Sequence, residues 1–370
     1  MSPFDRRLFS HFNWTLLFLG LVLFALGVLN LYSASSLHLE QGLATVSFYK
    51  KQLYWGSAGL LGLFVCLSFD YRHLKSLVWP LFGLSILLLT WLLLFEPARF
   101  GSKRWISLEF VSFQPTELAK LSVILLTAYF LAKIPGKLDL ACLGKLLGLV
   151  LLPCVLIVLQ PDLGSSLNIL LIFFGMLLYK GLQKGVYLCL ALVLPVLAPM
   201  GWFLLHDYQK RRIVSFLNPE TDPLGSGYNI LQSQIAIGSG QLWGKGFLEG
   251  TQSQLRFLPE KHTDFVLAVF GEEWGFAGCF LLLTLFCAFL QQILRIIQES
   301  KDSLGSYLCL GIFFYFYWQI LINMAMVLGL TPIVGIPLPF LSYGGSSTVL
   351  NFCLLGLVLN VSMRRFVFKQ

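Results

Sequence analysis

The sequence gathers its chemically capable side chains at a few points. Glu117 and Lys120 stand three apart in "TELAKLS", a spacing that puts them on one helix face where they can pair. Arg104 follows Lys103 in "GSKRWISL", and an arginine fork suits the geometry of phosphate. Asp162 lies in "QPDLGSSL" and Lys245 in "QLWGKGF". The densest group is "FLPEKHTDFVLAVFGEEWGFAG", where Glu260, Lys261, His262, Thr263 and Asp264 precede an apolar run that itself holds Glu272 and Glu273. "LSYGGSS" adds Ser342, Gly344 and Ser346, hydroxyl and amide groups at a helix start of the kind that binds anions. Cations beside a carboxylate suit a phosphate-bearing substrate and a general base.

Each of these features also has a plainer reading. Glu117 and Lys120 can be an ion pair locking two helices. Asp162 can cap the helix that follows it, and Asp264 can be an acid in a first helical turn. Lys103 and Arg104 can anchor Trp105 at an interface. The serine-glycine turn can be a re-entrant plug, since non-helical backbone at membrane depth is tolerated where it is buried in protein.

The elements that must position these groups are membrane spans. The 370 residues are 57% hydrophobic and only 12% charged, with 33 Phe and a mean hydropathy of +0.77, whereas soluble domains carry roughly 25% charged residues. Apolar runs near the spanning length of roughly 20 residues recur throughout. Ten spans are expected near 12–33, 51–69, 74–95, 113–133, 140–159, 164–180, 185–206, 264–291, 305–330 and 346–363. The first is too long for a signal-peptide core and is read as retained. Arg6, Arg7, Arg72, Lys75, Lys133, Lys137, Lys145, Lys180, Lys184, Arg295, Lys301, Arg364, Arg365 and Lys369 then fall on one side, which places both termini in the cytoplasm. The fold class is an all-α polytopic membrane protein, one domain over 1–370, with one long extracytoplasmic loop at 207–263. Within that loop "YNILQSQIAI" has the spacing of an amphipathic surface helix.

Several classes are excluded. The eight cysteines lie in or beside apolar segments without C-x-x-C spacing, so they read as packing residues and not as disulfides or metal ligands. The net charge of +8 is scattered in short loops and does not indicate nucleic acid. There is no phosphate-binding loop, no G-x-S-x-G and no H-E-x-x-H. These residues leave catalysis and transport of something anionic unseparated. Glu272 lies roughly 80° around the helix from Asp264 and can approach a cavity, while Glu273, about 180° away, suits a neighbouring helix.

"GSKRWISLEFVSFQPTELAKLS", "QPDLGSSL", "GTQSQLRFLPEKHTDFVLAVFGEEWGFAG" and "VGIPLPFLSYGGSS" together resemble the signature segments of the SEDS family (shape, elongation, division and sporulation). The resemblance covers nearly the whole chain in order. "DPLGSGYNILQSQIAIGSG" and "VGIPLP" are closer to the elongation branch, RodA, than to the division branch, FtsW. Trp274 in "GEEWG" departs from the Leu more usual there.

What the resemblance implies is a peptidoglycan glycosyltransferase on the outer face of the bacterial cytoplasmic (inner) membrane. It would polymerise lipid II for elongation and shape, with undecaprenyl pyrophosphate as leaving group. It implies Asp264 as the catalytic carboxylate, Glu117 and Lys120 as a cavity pair and Asp162 as a further site residue. Arg104, Lys245, His262, Thr263, Ser342, Gly344 and Ser346 complete the expected substrate contacts. No cofactor is certain, since the sequence lacks a carboxylate cage; a divalent cation, magnesium or manganese, is the one candidate. The implied partners are lipid II, the growing glycan strand, a class B penicillin-binding protein (a transpeptidase) and other elongation membrane proteins. Gly275 and Gly278 offer a small-residue surface on which that partner's anchor could pack. The competing classes are a lipid-linked precursor flippase and a non-enzymatic scaffold.

Overall fold

The computed structural model describes residues 11–40, 48–95, 104–108, 111–204, 207–218, 222, 225–255 and 257–364. Arg6, Arg7, Lys103, Arg365 and parts of the long loop lie outside the described residues. Ten helices of 18 residues or more occur where ten spans are expected: α1 (Trp14–Glu40), α2 (Phe48–Ser68), α3 (Leu74–Phe95), α4 (Pro115–Lys133), α5 (Leu140–Leu159), α6 (Leu163–Lys180), α7 (Lys184–Leu204), α11 (Val266–Glu299), α12 (Ser303–Val327) and α13 (Gly345–Arg364). Eight are long and apolar enough to cross a membrane, and α2 and α7, 21 residues each, fill the other two positions. The chain is a multi-pass membrane protein.

The long loop is largely helical. It holds α8 (Asp207–Leu217), α9 (Ser226–Ser239) and the single turn α10 (Thr251–Gln254). The expected amphipathic helix is α9, but it lies on protein. Ile230 and Ala236 are buried, and Ser233 Oγ donates to the Val327 carbonyl at the end of α12 (2.9 Å). Ahead of α4, strands β1 (Ile106–Leu108) and β2 (Val111–Phe113) form an antiparallel hairpin, an addition to the otherwise helical fold.

An aromatic cluster ties the bundle together at its centre. Phe340, in the irregular segment between α12 and α13, lies 5.8 Å from Phe289 of α11, 5.8 Å from Phe316 of α12 and 5.4 Å from Phe352 of α13. Such pairs add about 0.5–1.5 kcal/mol each beyond their burial. They hold the end of the proline-broken segment 328–344 in the core, where Leu338, Phe340 and Leu341 are buried.

Helix α11 is broken at Gly275, whose φ of 63° and ψ of −164° leave the helical region. A break there loses the bonds from Phe276 to Glu272 and from Ala277 to Glu273. The loop after α9 replaces them: Lys245 N donates to Glu272 O (3.0 Å), Gly246 N to Glu273 O (3.1 Å), Phe276 N to Gln241 O (2.8 Å) and Ala277 N to Leu242 O (3.0 Å). A Cβ on Gly275 would collide with Leu242 and Gly244. This corrects the expectation that Gly275 presents a surface to a partner's anchor, because the chain's own loop covers that face.

Candidate active site

Asp264 sits in the turn that leads into α11, half-buried, two residues before the helix begins. It does not cap the helix. Phe265 is the N-cap, and no side chain supplies a capping bond. The turn is held by backbone: Phe265 N and Thr263 N both donate to Glu260 O (3.3 and 3.1 Å). Asn323 of α12 bridges it to the irregular segment, donating to Asp264 O (3.0 Å) and to Ile336 O (2.8 Å). Asn30 of α1 donates to Val266 O (2.8 Å) just beyond. The backbone at and just after Asp264 is therefore held by two other elements, α12 and α1.

The charges of Glu260, Arg212, Arg104 and Asp162 act on the Asp264 carboxylate. Burial raises its pKa most, and the negative charge of Glu260 raises it further. Arg212 and Arg104 lower it, Asp162 raises it slightly, and the result is about 6. Burial thus outweighs both the arginines and the helix dipole, which alone would make the group a weaker base. Gly335, at a φ of 75°, makes room beside the carboxylate, since a Cβ there would lie 3.5 Å from Asp264 Oδ2.

Asp162 both caps and pairs. Its oxygens accept from Ser165 N (3.2 Å) and Ser165 Oγ (2.8 Å) at the start of α6, and Arg104 Nη1 lies 4.0 Å from its Oδ1. Arg104 also donates to the Pro161 carbonyl, while its Nε is buried with no hydrogen-bond partner among the described residues. Arg104 and Arg212 line one cavity of about 280 Å³, whose walls include Leu163, Leu167, Ile213 and Ile333.

The other expected residues divide by what they touch. Lys120 Nζ donates to Glu117 Oε1 at 2.7 Å, both side chains being at most 5% exposed, and the ammonium lies 5.8 Å from the Tyr315 ring centroid. Ser342 accepts from Leu338 N (2.8 Å) and donates to Thr263 O (2.6 Å), bracing the Asp264 turn from behind. Tyr343 N donates to His262 O (2.9 Å), and the His262 ring stacks on Phe48 (4.2 Å). Gly344 N donates to Gln52 Oε1 (3.4 Å), and Ser346 Oγ accepts from Gln114 N (3.1 Å), tying α13 to α2 and to the hairpin. The Thr263 hydroxyl turns to Glu260 Oε2 (3.1 Å).

Lys245 is engaged elsewhere. Its ammonium is 2.7 Å from Glu272 Oε1, an oxygen that also accepts from Thr251 Oγ1 (3.1 Å) and Gln252 N (2.9 Å). Glu272 therefore serves the loop and not a central cavity. Glu273 bonds Ser33 of α1, the neighbouring-helix role expected of it. Among the described residues no group of three His, Cys, Asp or Glu side chains is placed to hold a metal ion such as magnesium or manganese.

Sequence reasoning missed Arg212, Asn323 and Gly335. Arg212 had a signal: "HDYQKRRIV" puts three cations in the loop expected on the outer side, against the positive-inside trend. Asn323 carries no charge, so it lacks the mark that singles out an ionisable group inside a span, although a buried amide needs partners as well.

Residues 13–366 match the model of the FtsW/RodA/SpoVE family, described as cell cycle proteins. The chain belongs to this family. It is 35% identical over 356 residues to the peptidoglycan glycosyltransferase MrdB of Escherichia coli strain K12, covering 96% of this chain and 94% of that one. It is 37% identical over 366 residues to the probable peptidoglycan glycosyltransferase FtsW of Geobacter sp. strain M18, covering 97% and 98%. Its fold matches the crystal structure of Rod shape determining protein RodA of Thermus thermophilus with a TM-score of 0.71 at 29% identity, covering 96% and 98%. A chain from a peptidoglycan synthase complex, whose structure concerns the coordination of polymerization and crosslinking, matches with a TM-score of 0.82 at 31% identity and the same coverage.

Proposed function

We propose that Asp264 is the general base with which this chain, a peptidoglycan glycosyltransferase of the FtsW/RodA/SpoVE family, polymerises lipid II. The observation that carries the reading is the state of Asp264: half-buried, not used as a cap, its pKa pushed up to about 6, with the charges of two arginines acting on it. Near neutral pH such a carboxylate is ionised yet basic enough to accept a proton.

The acceptor sugar's 4-hydroxyl gives its proton to Asp264 as its oxygen attacks the anomeric carbon of the donor strand. The new bond joins that oxygen to the anomeric carbon, and the bond from the carbon to the pyrophosphate oxygen breaks. The electron pair leaves with undecaprenyl pyrophosphate, and the configuration inverts. Arg104 supplies fixed positive charge near the developing anion, an effect worth about 3–4 kcal/mol per well-placed donor in comparable sites. Glu117 and Lys120 brace α4 as a buried ion pair.

The reaction takes place on the outer face of the cytoplasmic membrane, with both termini inside. The partner is a class B penicillin-binding protein that crosslinks the strands this chain extends, a reading supported by the likeness to a chain of a peptidoglycan synthase complex. The deciding experiment is lipid II polymerisation by the purified chain, wild type against Asp264→Asn. Strand extension at the wild-type rate by the asparagine variant would overturn the assignment.

A further inference from the structure

We infer that loop 241–248, which clasps the break in α11, is a membrane anchor, with Leu242 and Trp243 inserted at the boundary between phospholipid headgroups and acyl chains. Among the described residues Trp243, at 84%, is the most exposed large hydrophobic side chain, and Leu242 beside it is 63% exposed. Indole is apolar with a single N–H, so it gains more at a membrane interface than in water. The surface role expected of α9 thus falls to the loop that follows it.

The part of α11 after the break, 276–299, is roughly 36 Å long at 1.5 Å per residue, enough by itself for a hydrocarbon core of about 30 Å. The part before the break folds back against it. A Cβ on Gly271 would lie 3.4 Å from Cys279 Sγ, whereas eight residues of straight helix span about 12 Å. The loop therefore docks where α11 enters the bilayer. Aromatic rings mark the same level: Tyr32 lies 5.2 Å from Tyr49 and 6.4 Å from Phe247, and Phe247 lies 6.4 Å from Trp274. Tyr32 is close to the end of the apolar stretch of α1, Trp14–Ser35. Belts of Tyr and Trp gather at membrane interfaces.

The loop can enter lipid because its polar groups are engaged by protein. Its amides at Lys245 and Gly246 and its carbonyls at Gln241 and Leu242 bond the two sides of the break in α11. Its one charge, Lys245, is neutralised by Glu272 at 2.7 Å. Unpaired backbone groups or a free charge would oppose insertion. Lipid is the occupant because the exposed surface continues into the apolar side of the span itself. Phe276, whose N–H bonds Gln241 O, is exposed, and its ring lies 6.3 Å from that of Phe280, exposed one turn further along with Leu281.

The test uses the purified full chain in phosphatidylcholine liposomes, where no partner protein is present. Hydroxyl-radical footprinting of the wild type, read by mass spectrometry, should oxidise Trp243 at least tenfold more slowly in liposomes than in the urea-unfolded chain. That protection should not change with the lipid-to-protein ratio. Trp243→Phe should lower the fraction of tryptophan emission quenched by lipids brominated near the headgroup, and leave unchanged the fraction quenched by lipids brominated at the chain end. Trp243 oxidised in liposomes as fast as in the unfolded chain overturns the anchor and leaves this face to a protein partner. Headgroup-level quenching that Trp243→Phe does not alter also overturns it. Protection that fades as the chain is diluted in lipid would put a second copy of the chain on this face in place of lipid, and sinks the anchor as well.

Discussion

Asp264 and Glu272 lie eight residues apart at the start of the same segment, and the structure treats them oppositely. Glu272 is fully buried, and one of its oxygens takes an ammonium, a hydroxyl and a backbone amide from the loop that mends the break in α11. Asp264 is half-buried, is acted on by two cations and two carboxylates, and has its pKa pushed up to about 6. Donors that reach a carboxylate favour its charged form and desolvation disfavours it, and at Asp264 desolvation is the larger of the two. Burial alone therefore does not mark the reactive acid. Asp264 combines burial that raises its pKa with the charges of two arginines brought from other segments.

The largest effect that tests this contrast is on Asp264. Asp264→Asn should lower the polymerisation rate by roughly 10²–10⁴-fold, the usual worth of a positioned base. In wild type the rate should rise with pH through about 6 and level off above it. Stability carries the opposite sign. A carboxylate whose folded pKa is raised holds its proton more tightly when folded, so its contribution is present below the unfolded value and is lost as pH rises through about 6. The asparagine variant should consequently melt higher than wild type at pH 8, with the gain vanishing near pH 3. A lower melting temperature at pH 8 would return Asp264 to a structural role like that of Glu272.

Next in size is the Glu117–Lys120 pair. Lys120→Met leaves Glu117 charged and buried, which should cost about 3–5 kcal/mol. Adding Glu117→Gln should restore the melting temperature but not strand synthesis. Full polymerisation by the double variant would place this pair beside Glu272 as scaffold.

Lys245→Met should cost less, about 1–3 kcal/mol, because Thr251 and Gln252 still donate to Glu272. Thermal melting should fall, while polymerisation per folded molecule stays near wild type. A rate loss as large as that of Asp264→Asn would erase the distinction between the two carboxylates.

The smallest effect is at Gly335. Alanine there meets a positive φ at about 1–2 kcal/mol and sets a methyl group 3.5 Å from Asp264 Oδ2. Initial rates on lipid II should fall by about tenfold or less, with the larger loss in kcat. An unchanged rate would mean that substrate reaches Asp264 from another side.

The ten helices were legible because a membrane demands long apolar runs, and such runs survive in a sequence without knowledge of what they touch. Asp162 as a cap and Glu117–Lys120 as a pair were legible for a similar reason, since their partners lie three residues away. Arg212 beside Asp264, Ser342 behind Thr263 and Asn323 across to Ile336 join residues separated by tens of positions, and no local pattern encodes such meetings. The same limit explains Gly275 and Lys245. The small residue read as a partner's surface, and the cation read as a substrate contact, both belong to one loop-to-helix clasp that exists only after folding. Sequence by itself determined the spans, the motifs and the carboxylate to watch. Tertiary structure decided which charges were consumed and which were left reactive, because a side chain's pKa and partners depend on the desolvation and charges that distant segments bring to it.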